Sequence, residues 1–418
     1  MISEQPTEAY VWIWLPGAIE PVVAGRLQAT GDIIVFNYGR SYLGRADAIP
    51  IYLPELPLRP GVIAPLSGLT VPGCISDAGP DAWGRRVLMQ HLIGTGTAWP
   101  DPAALHPLTY LLSSGSDRVG ALDFQAFPDR YVSRDQNSSA ALEELMQAAQ
   151  RVDEGLPLSP ALDRALLHGS SVGGARPKAL INDESRKLIA KFSSTTDAYS
   201  IVKGEYVAME LARRAGLDTA RVELAEVLGK DVLLVERFDR VGPGRRKPVV
   251  SALTMLELDE MLARYASYAD LAQIVRERFT DARLTLNELF ARITFNILVG
   301  NNDDHARNHA AFWDGAALTL TPAYDICPQP RAGGEAAQAM AIAADGYRMS
   351  QVAGCVEAAS TYLLSGADAR EIIDHQIEVI GSQWKEVCDV ARMTEVERAY
   401  FWERQFLNPY AVQGYAST

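Results

Sequence analysis

One stretch near residue 300 constrains the fold more than any other part of this chain. Apolar residues recur at helical spacing just before it and predict a buried helix: Leu286, Leu289, Phe290, Ile293 and Ile297. The polar loop Asn301–Asn308 follows, and the runs Ala310–Trp313 and Leu318–Leu320 then predict a hairpin. The second strand of this hairpin leads to Asp325. The segment therefore predicts a helix, a polar loop and a hairpin that together present several oxygen-bearing side chains.

The spacing of these polar residues is typical of phosphoryl transfer. Asp303 precedes Asn308 by five positions, and Asp325 lies 22 positions after Asp303. In kinase-type sites one carboxylate accepts the proton of the acceptor hydroxyl, while an amide and a second carboxylate hold magnesium. Asp303 is the better base because the same offset from Asp304 leads to His309, so Asp304 is interpreted as a loop-shaping or solvated residue. The alternative for the whole loop is an Asx-rich turn.

A second segment offers groups that suit phosphates. The small-residue loop Ser171–Lys178 can bring backbone N–H groups close to phosphates because few side chains intervene. A hairpin follows, and its second strand carries Lys191 among apolar neighbours, where an ammonium group is costly unless it meets an anion. In kinases such a lysine contacts the α- and β-phosphates; Lys178 and Lys187 are second choices. An ordinary turn and a snorkelling edge lysine are the alternatives.

Two further segments complete this half of the prediction. The run Glu236–Phe238 closes a hydrophobic strand, at the point where backbone groups of a kinase meet the adenine edge and an apolar side chain covers the ring. The alternative is the end of a strand with a salt-bridged arginine. Glu205 and Glu210, on the helix after Lys191, are candidates to orient that lysine, and ordinary helix-surface glutamates are the alternative.

Composition and charge restrict the class of protein. At 418 residues the chain is too long for one simple core, and two or three structural units are expected. The net charge of -13 argues against a broad nucleic-acid footprint and suits a basic partner. No run of 18 apolar residues occurs, and the polar N-terminus is unlike a secretion signal, so we expect no membrane span. The scattered cysteines predict neither a zinc site nor a disulfide framework, and the predicted location is cytoplasmic.

With these pieces in order, the chain resembles the HipA family of serine/threonine kinases, which are the toxins of bacterial toxin–antitoxin pairs. The resemblance covers nearly the whole chain and is carried by Ser171–Lys178, Val235–Arg240, Asn302–Asn308 and Tyr324-Asp325. The segment Gly79–Arg86 resembles the domain that precedes the kinase core in this family. The combination of motifs is far more specific than any one of them.

The resemblance implies an α+β, two-lobed protein-kinase-like fold of the HipA type. Its N-terminal lobe is expected to be β-rich, with an extra N-terminal subdomain, and its C-terminal lobe all-α. Residues 1–135 are predicted to form the N-terminal β-rich subdomain, residues 141–240 the core of the kinase N-lobe with the phosphate-binding loop, and residues 241–418 the helical C-lobe with the catalytic loop.

The resemblance also implies roles for individual residues. Asp303 would be the catalytic base, and Asn308 and Asp325 would bind Mg²⁺. Ser171, with Ser170 as its neighbour, would be the autophosphorylation site. The residues predicted to bind ATP are Gly173, Gly174, Ala175, Arg176, Pro177, Lys178, Lys191, Glu236, Arg237, Phe238, His305, Ala306, Arg307, Asn308, Tyr324 and Asp325.

The resemblance further implies partners. It predicts a small helix-turn-helix DNA-binding antitoxin, an aminoacyl-tRNA synthetase as the protein substrate, and contact with DNA only indirectly through the antitoxin complex. A catalytically weak co-repressor that binds the antitoxin is an alternative, and a small-molecule kinase is a less favoured one. Two departures restrict the analogy: Arg176-Pro177 replaces a pair that is often polar and acidic in the family, and Ile326-Cys327, rather than Phe-Gly, follows Asp325.

Overall fold

The computed structural model describes residues 5–93, 105–134, 141–159, 162–163, 166, 174–183, 186–194, 197, 199–331 and 333–417. The chain divides into two compact units. The first comprises residues 1–196, 225–250 and 312–316, and the second comprises residues 197–224, 251–311 and 317–418. The fold is of the mixed α+β class, as predicted, whereas the predicted domain boundaries stay a prediction.

The described strands are β1 (Glu8–Ile13), β2 (Val22–Thr30), β3 (Ile33–Tyr38), β4 (Val62–Ile63), β5 (Leu122–Gln125), β6 (Lys178–Asp183), β7 (Arg186–Phe192), β8 (Val222–Val227), β9 (Lys230–Glu236), β10 (Val249–Ser251), β11 (Ala310–Trp313) and β12 (Leu318–Leu320). They form three sheets, with the orders β4-β3-β2-β1-β5, β6-β7-β9-β8 and β10-β11-β12.

The described α-helices are α1 (Arg40–Leu43), α2 (Gly73–Ser76), α3 (Ala82–Ile93), α4 (Pro107–Ser113), α5 (Leu142–Asp153), α6 (Ile201–Arg214), α7 (Ala252–Met255), α8 (Tyr268–Arg278), α9 (Ala282–Leu298), α10 (Val352–Glu357), α11 (Gly366–Val390) and α12 (Glu395–Phe401). Short 3-10 helices span Glu260–Tyr265, Ala306–Asn308 and Ala359–Tyr362. Among the described residues, no helix is both long and apolar enough to cross a bilayer.

The second sheet is built on alternation along β7. Leu188, Ala190 and Phe192 are buried, while the residues between them are only half-buried. Because side chains of a strand alternate between the two faces of a sheet, this pattern gives β7 one core face. That core is completed by α3 and α5, which contribute Trp83 and Leu145 among others. The hairpin and the lysine-bearing strand predicted from the sequence are thus confirmed as β6 and β7.

The second unit is organised around α9. Its apolar stripe from Leu286 to Ile297 is buried, as the helical spacing predicted, and the helix packs against α8 and α11. The Asp281 side chain caps its first turn by accepting the N–H of Leu284. The C-terminal part of the chain was expected to be all-α, but β10, β11 and β12 interrupt its helices. The last two are the strands of the hairpin that follows the polar loop.

A buried ion network lies in the first unit. The Asp117 carboxylate accepts hydrogen bonds from Arg237 Nη1 at 2.9 Å and Arg240 Nη2 at 2.7 Å. Lys187 Nζ lies 3.4 Å from the same carboxyl group. Asp239 binds both guanidinium groups from the other side, at 2.8 Å each. Burial opposes ionisation of Asp117, but four surrounding cations, these three and Arg246, outweigh it and hold its pKa well below the ordinary value.

We expect the substitution Asp117→Asn to lower the free energy of unfolding by about 3–5 kcal/mol, because it leaves buried cations short of a counter-charge. Since the folded-state pKa is depressed, the contribution is fully present above the ordinary aspartate pKa of about 3.9 and is lost only as the pH falls through the folded value. Urea unfolding at pH 7 measures the loss. Asp32→Asn, at an exposed position between β2 and β3, is the matched control; equal stability of the two variants would contradict the network's role.

Candidate functional site

The predicted catalytic loop follows α9 in the second unit. Gly300 turns the chain with a φ of 71°, and a Cβ there would lie 2.9 Å from the backbone of Gln405, so the position requires glycine. The chain then runs without regular structure to the 3-10 turn Ala306–Asn308. The Asn308 Nδ2 donates to the main-chain carbonyl of Asp303 at 3.3 Å. The two ends of the loop are thereby tied together, and the Oδ1 of Asn308 keeps lone pairs for another partner.

Asp303 is the exposed carboxylate of this loop. Partial burial, followed by the negative charges of Asp325 and Asp304, raises its pKa above the ordinary value, while His305 acts in the opposite direction. The charge of Asp325 acts on Asp303, so the two carboxylates lie within electrostatic reach of each other. The residues predicted as base and as second metal ligand thus have carboxylates whose charges interact.

Hydrogen bonds on both sides hold the segment that carries Asp325. The Ala323 N–H donates to the carbonyl of Asp218 at 2.7 Å, and the Tyr324 hydroxyl donates to the carbonyl of Arg307 at 2.7 Å. Asp325 itself has a φ of 60°, in the left-handed region that residues with a side chain seldom adopt. Such conformations persist where the surroundings over-determine them, often at functional sites.

Asp304 has the opposite environment from its neighbour. It is 2% exposed, and its Oδ2 accepts hydrogen bonds from the Tyr268 hydroxyl, from Asn296 Nδ2 at 2.7 Å and from His309 Nε2 at 3.0 Å. Burial opposes its ionisation, but His309 and these hydrogen bonds outweigh burial and lower the pKa. Of the two interpretations of Asp304, the loop-shaping one is confirmed and the solvated one is wrong.

Sequence reasoning missed the helix residues that support this loop. Asn296 is 3% exposed, and its Oδ1 accepts the Nδ2 of Asn301 at 3.0 Å. The Asn301 amide also donates to the main-chain carbonyl of Asp325 at 3.4 Å. One signal was present in the sequence: Asn296 stands between Phe295 and Ile297 inside an apolar helix. A buried amide in such a place must find polar partners.

The described part of the predicted phosphate loop lies in the first unit; Ser170, Ser171 and Gly173 lie outside the described residues. Gly174 has a φ of 108°, a backbone conformation that residues with a side chain rarely adopt, so the position favours glycine. Trp83 anchors Gly174 and Lys178: its N–H donates to the Gly174 carbonyl at 3.1 Å and its indole Nε1 donates to the Lys178 carbonyl at 2.9 Å. Ala175 is exposed, Arg176 half-buried and Pro177 buried.

Two lysines stand directly opposite each other on the neighbouring strands β6 and β7. Lys178 pairs in register with Lys191; the former is 4% exposed and the latter half-buried. Like charges opposite one another on one face of a sheet repel, so this arrangement favours an anion nearby. Lys187, the other second choice, belongs to the Asp117 ion network.

The run predicted to hold adenine ends β9. The Arg237 N–H donates to the carbonyl of Lys187 at 2.9 Å, and its side chain is committed to the Asp117 network. For that side chain the salt-bridged alternative is correct. Glu236 carries a buried Oε2 without a hydrogen-bond partner among the described residues. The Phe238 ring packs edge-on against Phe312 at a centroid distance of 5.8 Å.

The remaining predicted site residues divide by environment. In the second unit, His305 Nδ1 and Arg307 Nε are buried and have no hydrogen-bond partner within the described part of the chain, while Ala306 is buried. Unpaired buried polar groups call for an explanation, and an absent ligand is one.

Of the two helix glutamates, Glu210 pairs with Arg213 and neighbouring Arg214, as an ordinary surface residue does, whereas Glu205 is buried.

The donor set bears on the predicted metal. Over the described ranges, no cluster of three or more His, Cys, Asp or Glu side chains is present that could enclose an ion. Asn308 and Asp325 offer an amide oxygen and a carboxylate. Mg²⁺ prefers oxygen ligands, keeps several waters and commonly binds through one or two carboxylates together with substrate phosphates. The two residues fit that mode of binding, and they do not fit an all-protein metal cage.

Two stretches of the chain match known domain families. Residues 15–125 match the HipA N-terminal domain, and residues 170–384, more than half of the chain, match the HipA-like C-terminal domain. The chain belongs to the HipA family. The C-terminal match contains the described part of the phosphate loop, the lysine pair, the Asp303 loop and Asp325.

Individual relatives are more distant. A 148-residue segment is 29% identical to a putative kinase, Y4mE, of Sinorhizobium fredii, and covers 33% of each chain. A 184-residue segment is 26% identical to the serine/threonine-protein kinase toxin HipA of Shewanella oneidensis, covering 37% of this chain and 42% of the relative. The matches thus span less than half of either relative. HipA of Shewanella oneidensis MR-1, solved with HipB and operator DNA, has a similar fold, with a TM-score of 0.69 at 18% identity over 94% of this chain and 95% of that one.

The two neighbouring aspartates are expected to affect stability in opposite directions. At pH 7, Asp304→Asn should lower the free energy of unfolding by about 3–5 kcal/mol, because three donors lose a buried charge. Asp303→Asn should leave the free energy of unfolding unchanged or raise it by up to about 0.5 kcal/mol. The substitution relieves repulsion between carboxylates, but solvent already screens that repulsion.

The signs follow from the two pKa directions. The depressed pKa of Asp304 gives stability that is lost as the pH falls through its folded value. The raised pKa of Asp303 means that its ionisation destabilises the fold, a penalty that develops as the pH rises through that pKa. Urea unfolding of both variants at pH 7 checks the contrast, and a stability loss at Asp303 as large as that at Asp304 would refute it.

Proposed function

We propose that this chain is an ATP- and Mg²⁺-dependent serine/threonine protein kinase that acts as the toxin of a toxin–antitoxin pair. The observation that carries the proposal is an exposed carboxylate, Asp303, on a loop fixed by the buried Asp304, with the charge of a second carboxylate, Asp325, acting on it. Membership of the HipA family supports the same chemistry, as do the kinase names of the relatives.

The proposed roles in the second unit follow from the environments of the side chains. Asp303 accepts the proton of a serine or threonine hydroxyl as that oxygen attacks the γ-phosphate. A raised pKa makes a carboxylate a stronger base than an ordinary aspartate, which favours this transfer. The side-chain oxygens of Asn308 and Asp325 hold Mg²⁺, which neutralises phosphate charge when bound.

The proposed roles in the first unit concern the nucleotide. Lys191, with Lys178 opposite it on β6, offers ammonium groups to the phosphates, and the backbone from Gly174 to Lys178 approaches them. Glu236 and Phe238 contact the adenine, while Arg237 acts there only through its backbone because its side chain is committed to Asp117.

The proposed partners are a protein substrate and an antitoxin. By the family resemblance, the substrate is an aminoacyl-tRNA synthetase, and the antitoxin is a small helix-turn-helix protein that brings the pair to DNA. The net charge of -13 favours a basic partner and speeds encounter at low salt. The similar Shewanella protein, solved with HipB and operator DNA, supports a partner of this class.

The same charge favours a second candidate function, that of an antitoxin-binding co-repressor with little catalysis. It predicts that adding this chain raises the operator affinity of the antitoxin whether or not Asp303 is intact. Operator binding that depends on Asp303 would contradict it.

We expect Asp303→Asn to reduce phosphoryl transfer about 10²–10⁴-fold, the usual cost of losing a general base. Incorporation of label from γ-labelled ATP into protein, with Mg²⁺ present, measures the rate. The control is Asp314→Asn, in the hairpin turn between β11 and β12, which should retain the parental rate. Equal incorporation by Asp303→Asn and the parent would end the assignment of the base.

We expect autophosphorylation at Ser171 to weaken ATP binding. A phosphate adds about -1.5 to -2 charges, and this loop is proposed to approach the phosphates of ATP, which repel it. Mass spectrometry after incubation with Mg²⁺ and ATP should find phosphate in the parent and in Ser170→Ala, and none at this loop in Ser171→Ala. Calorimetric ATP titration should then show weaker binding by the modified parent and the modified Ser170→Ala variant than by Ser171→Ala. Turnover with Ser171 unmodified would count against the proposal.

A further inference from the structure

Asn296 joins the two segments that carry the proposed catalytic groups. Its Nδ2 donates to Asp304 Oδ2 at 2.7 Å, and its Oδ1 accepts from Asn301 Nδ2 at 3.0 Å. Asn301 in turn donates to the main-chain carbonyl of Asp325 at 3.4 Å. A continuous path of hydrogen bonds therefore runs from the residue beside Asp303 to the backbone of Asp325.

The path requires an amide at position 296. One atom must donate to a carboxylate and the other must accept from an amide, and an asparagine side chain supplies both in a fixed plane. A carboxylate there would set acceptor against acceptor, and an apolar side chain would leave the buried groups of Asp304 and Asn301 short of a partner. Because Asn296 is only 3% exposed, water has little access to replace the lost hydrogen bonds.

The other described donors to Asp304 have a different role. Tyr268 begins α8 and His309 precedes β11, so they hold the loop to the helix before α9 and to the strand after the loop. The hydrogen bonds of Asn296 continue instead toward Asp325. This residue is therefore placed to couple the two segments, beyond fixing either one.

We propose that Asn296 is a positioning residue that sets the geometry between the Asp303–Asn308 loop and Asp325, and thereby the binding of the metal–nucleotide complex. This inference rests on the proposed kinase function. It concerns residues of α9 and Asn301 that would touch neither nucleotide nor metal. Substituting residues that hydrogen-bond to metal ligands, without touching the metal, commonly lowers metal affinity or activity about 10–100-fold.

The test compares Asn296→Ala and Asn296→Asp with the parent in two readouts. Binding of Mn²⁺ in the presence of ATP, followed by electron paramagnetic resonance without acceptor, should weaken about 10–100-fold. The kcat for phosphoryl transfer should fall by a similar factor. Thr294→Ala is the matched control: Thr294 is also buried on α9, but its hydroxyl interacts with Phe290 and Gln376. Parental Mn²⁺ binding by Asn296→Ala, or an equal loss in Thr294→Ala, would overturn the proposal.

A second variant covers the case in which Asn296→Ala does not fold. Asn301→Ala removes the hydrogen bonds from Asn301 to Asn296 and to the Asp325 carbonyl, while the bond from Asn296 to Asp304 stays. This variant should weaken Mn²⁺ binding as well. Because the two amides act in series, the double variant should bind Mn²⁺ no more weakly than the worse single variant, a non-additivity expected for residues of one network. Unaltered binding by Asn301→Ala, or additive losses in the double variant, would exclude the path.

The outcomes separate this inference from the proposed function. Phosphoryl transfer that survives Asp303→Asn would refute the kinase assignment of that residue whatever Asn296 does. Loss of transfer in Asp303→Asn, together with parental Mn²⁺ binding in Asn296→Ala, would refute the positioning role alone.

Discussion

The second unit depends on one buried negative charge. The Asp304 carboxylate is removed from water, which would be costly for an isolated ion, but three side chains donate to it or face it: Tyr268, Asn296 and His309. These donors come from α8, from α9 and from the residue before β11. A single acceptor thus fixes the meeting point of two helices and a strand. These hydrogen bonds hold the polar loop where it leaves the end of α9.

The neighbouring aspartates show how environment, and not residue type, assigns a role. Asp304 is enclosed by donors that stabilise its ionised form, so its pKa falls and the group is inert. Asp303 is exposed, yet partial desolvation and the negative charges of Asp325 and Asp304 raise its pKa, so ionisation costs more there than at an ordinary aspartate. A base benefits from the second environment and would be useless in the first.

The sequence predicted what depends on local pattern. The apolar stripe of α9, the strands β6 and β7 and the hairpin after the loop follow from spacing and turn residues. The offset between Asp303 and Asn308 also separates two adjacent aspartates that the structure places in different environments. The support of that loop could not be predicted. Tyr268 and Asn296 reach Asp304 only because α8 and α9 pack together, and no short-range pattern encodes that contact. The same limit applies to Arg237, whose partner Asp117 is 120 positions away in the sequence; its side chain is structural although its position in the motif suggested a ligand.

Each of the two units contains a buried carboxylate that is surrounded by hydrogen-bond donors. In the first unit a buried carboxylate, Asp117, gathers cations from the ends of strands, and in the second Asp304 gathers neutral donors and a histidine around a loop. Both networks consist of aligned hydrogen bonds: Arg237 and Arg240 donate to Asp117 at 2.9 and 2.7 Å, and Asn296 donates to Asp304 at 2.7 Å. Hydrogen bonds to a charged acceptor fix the orientation of the donor as well as contributing energy. The proposed roles of Asp303 and Asn308 require a set separation between them, which aligned hydrogen bonds can hold. Asn296 supplies two such bonds from within the apolar helix α9, because its planar amide offers both a donor and an acceptor.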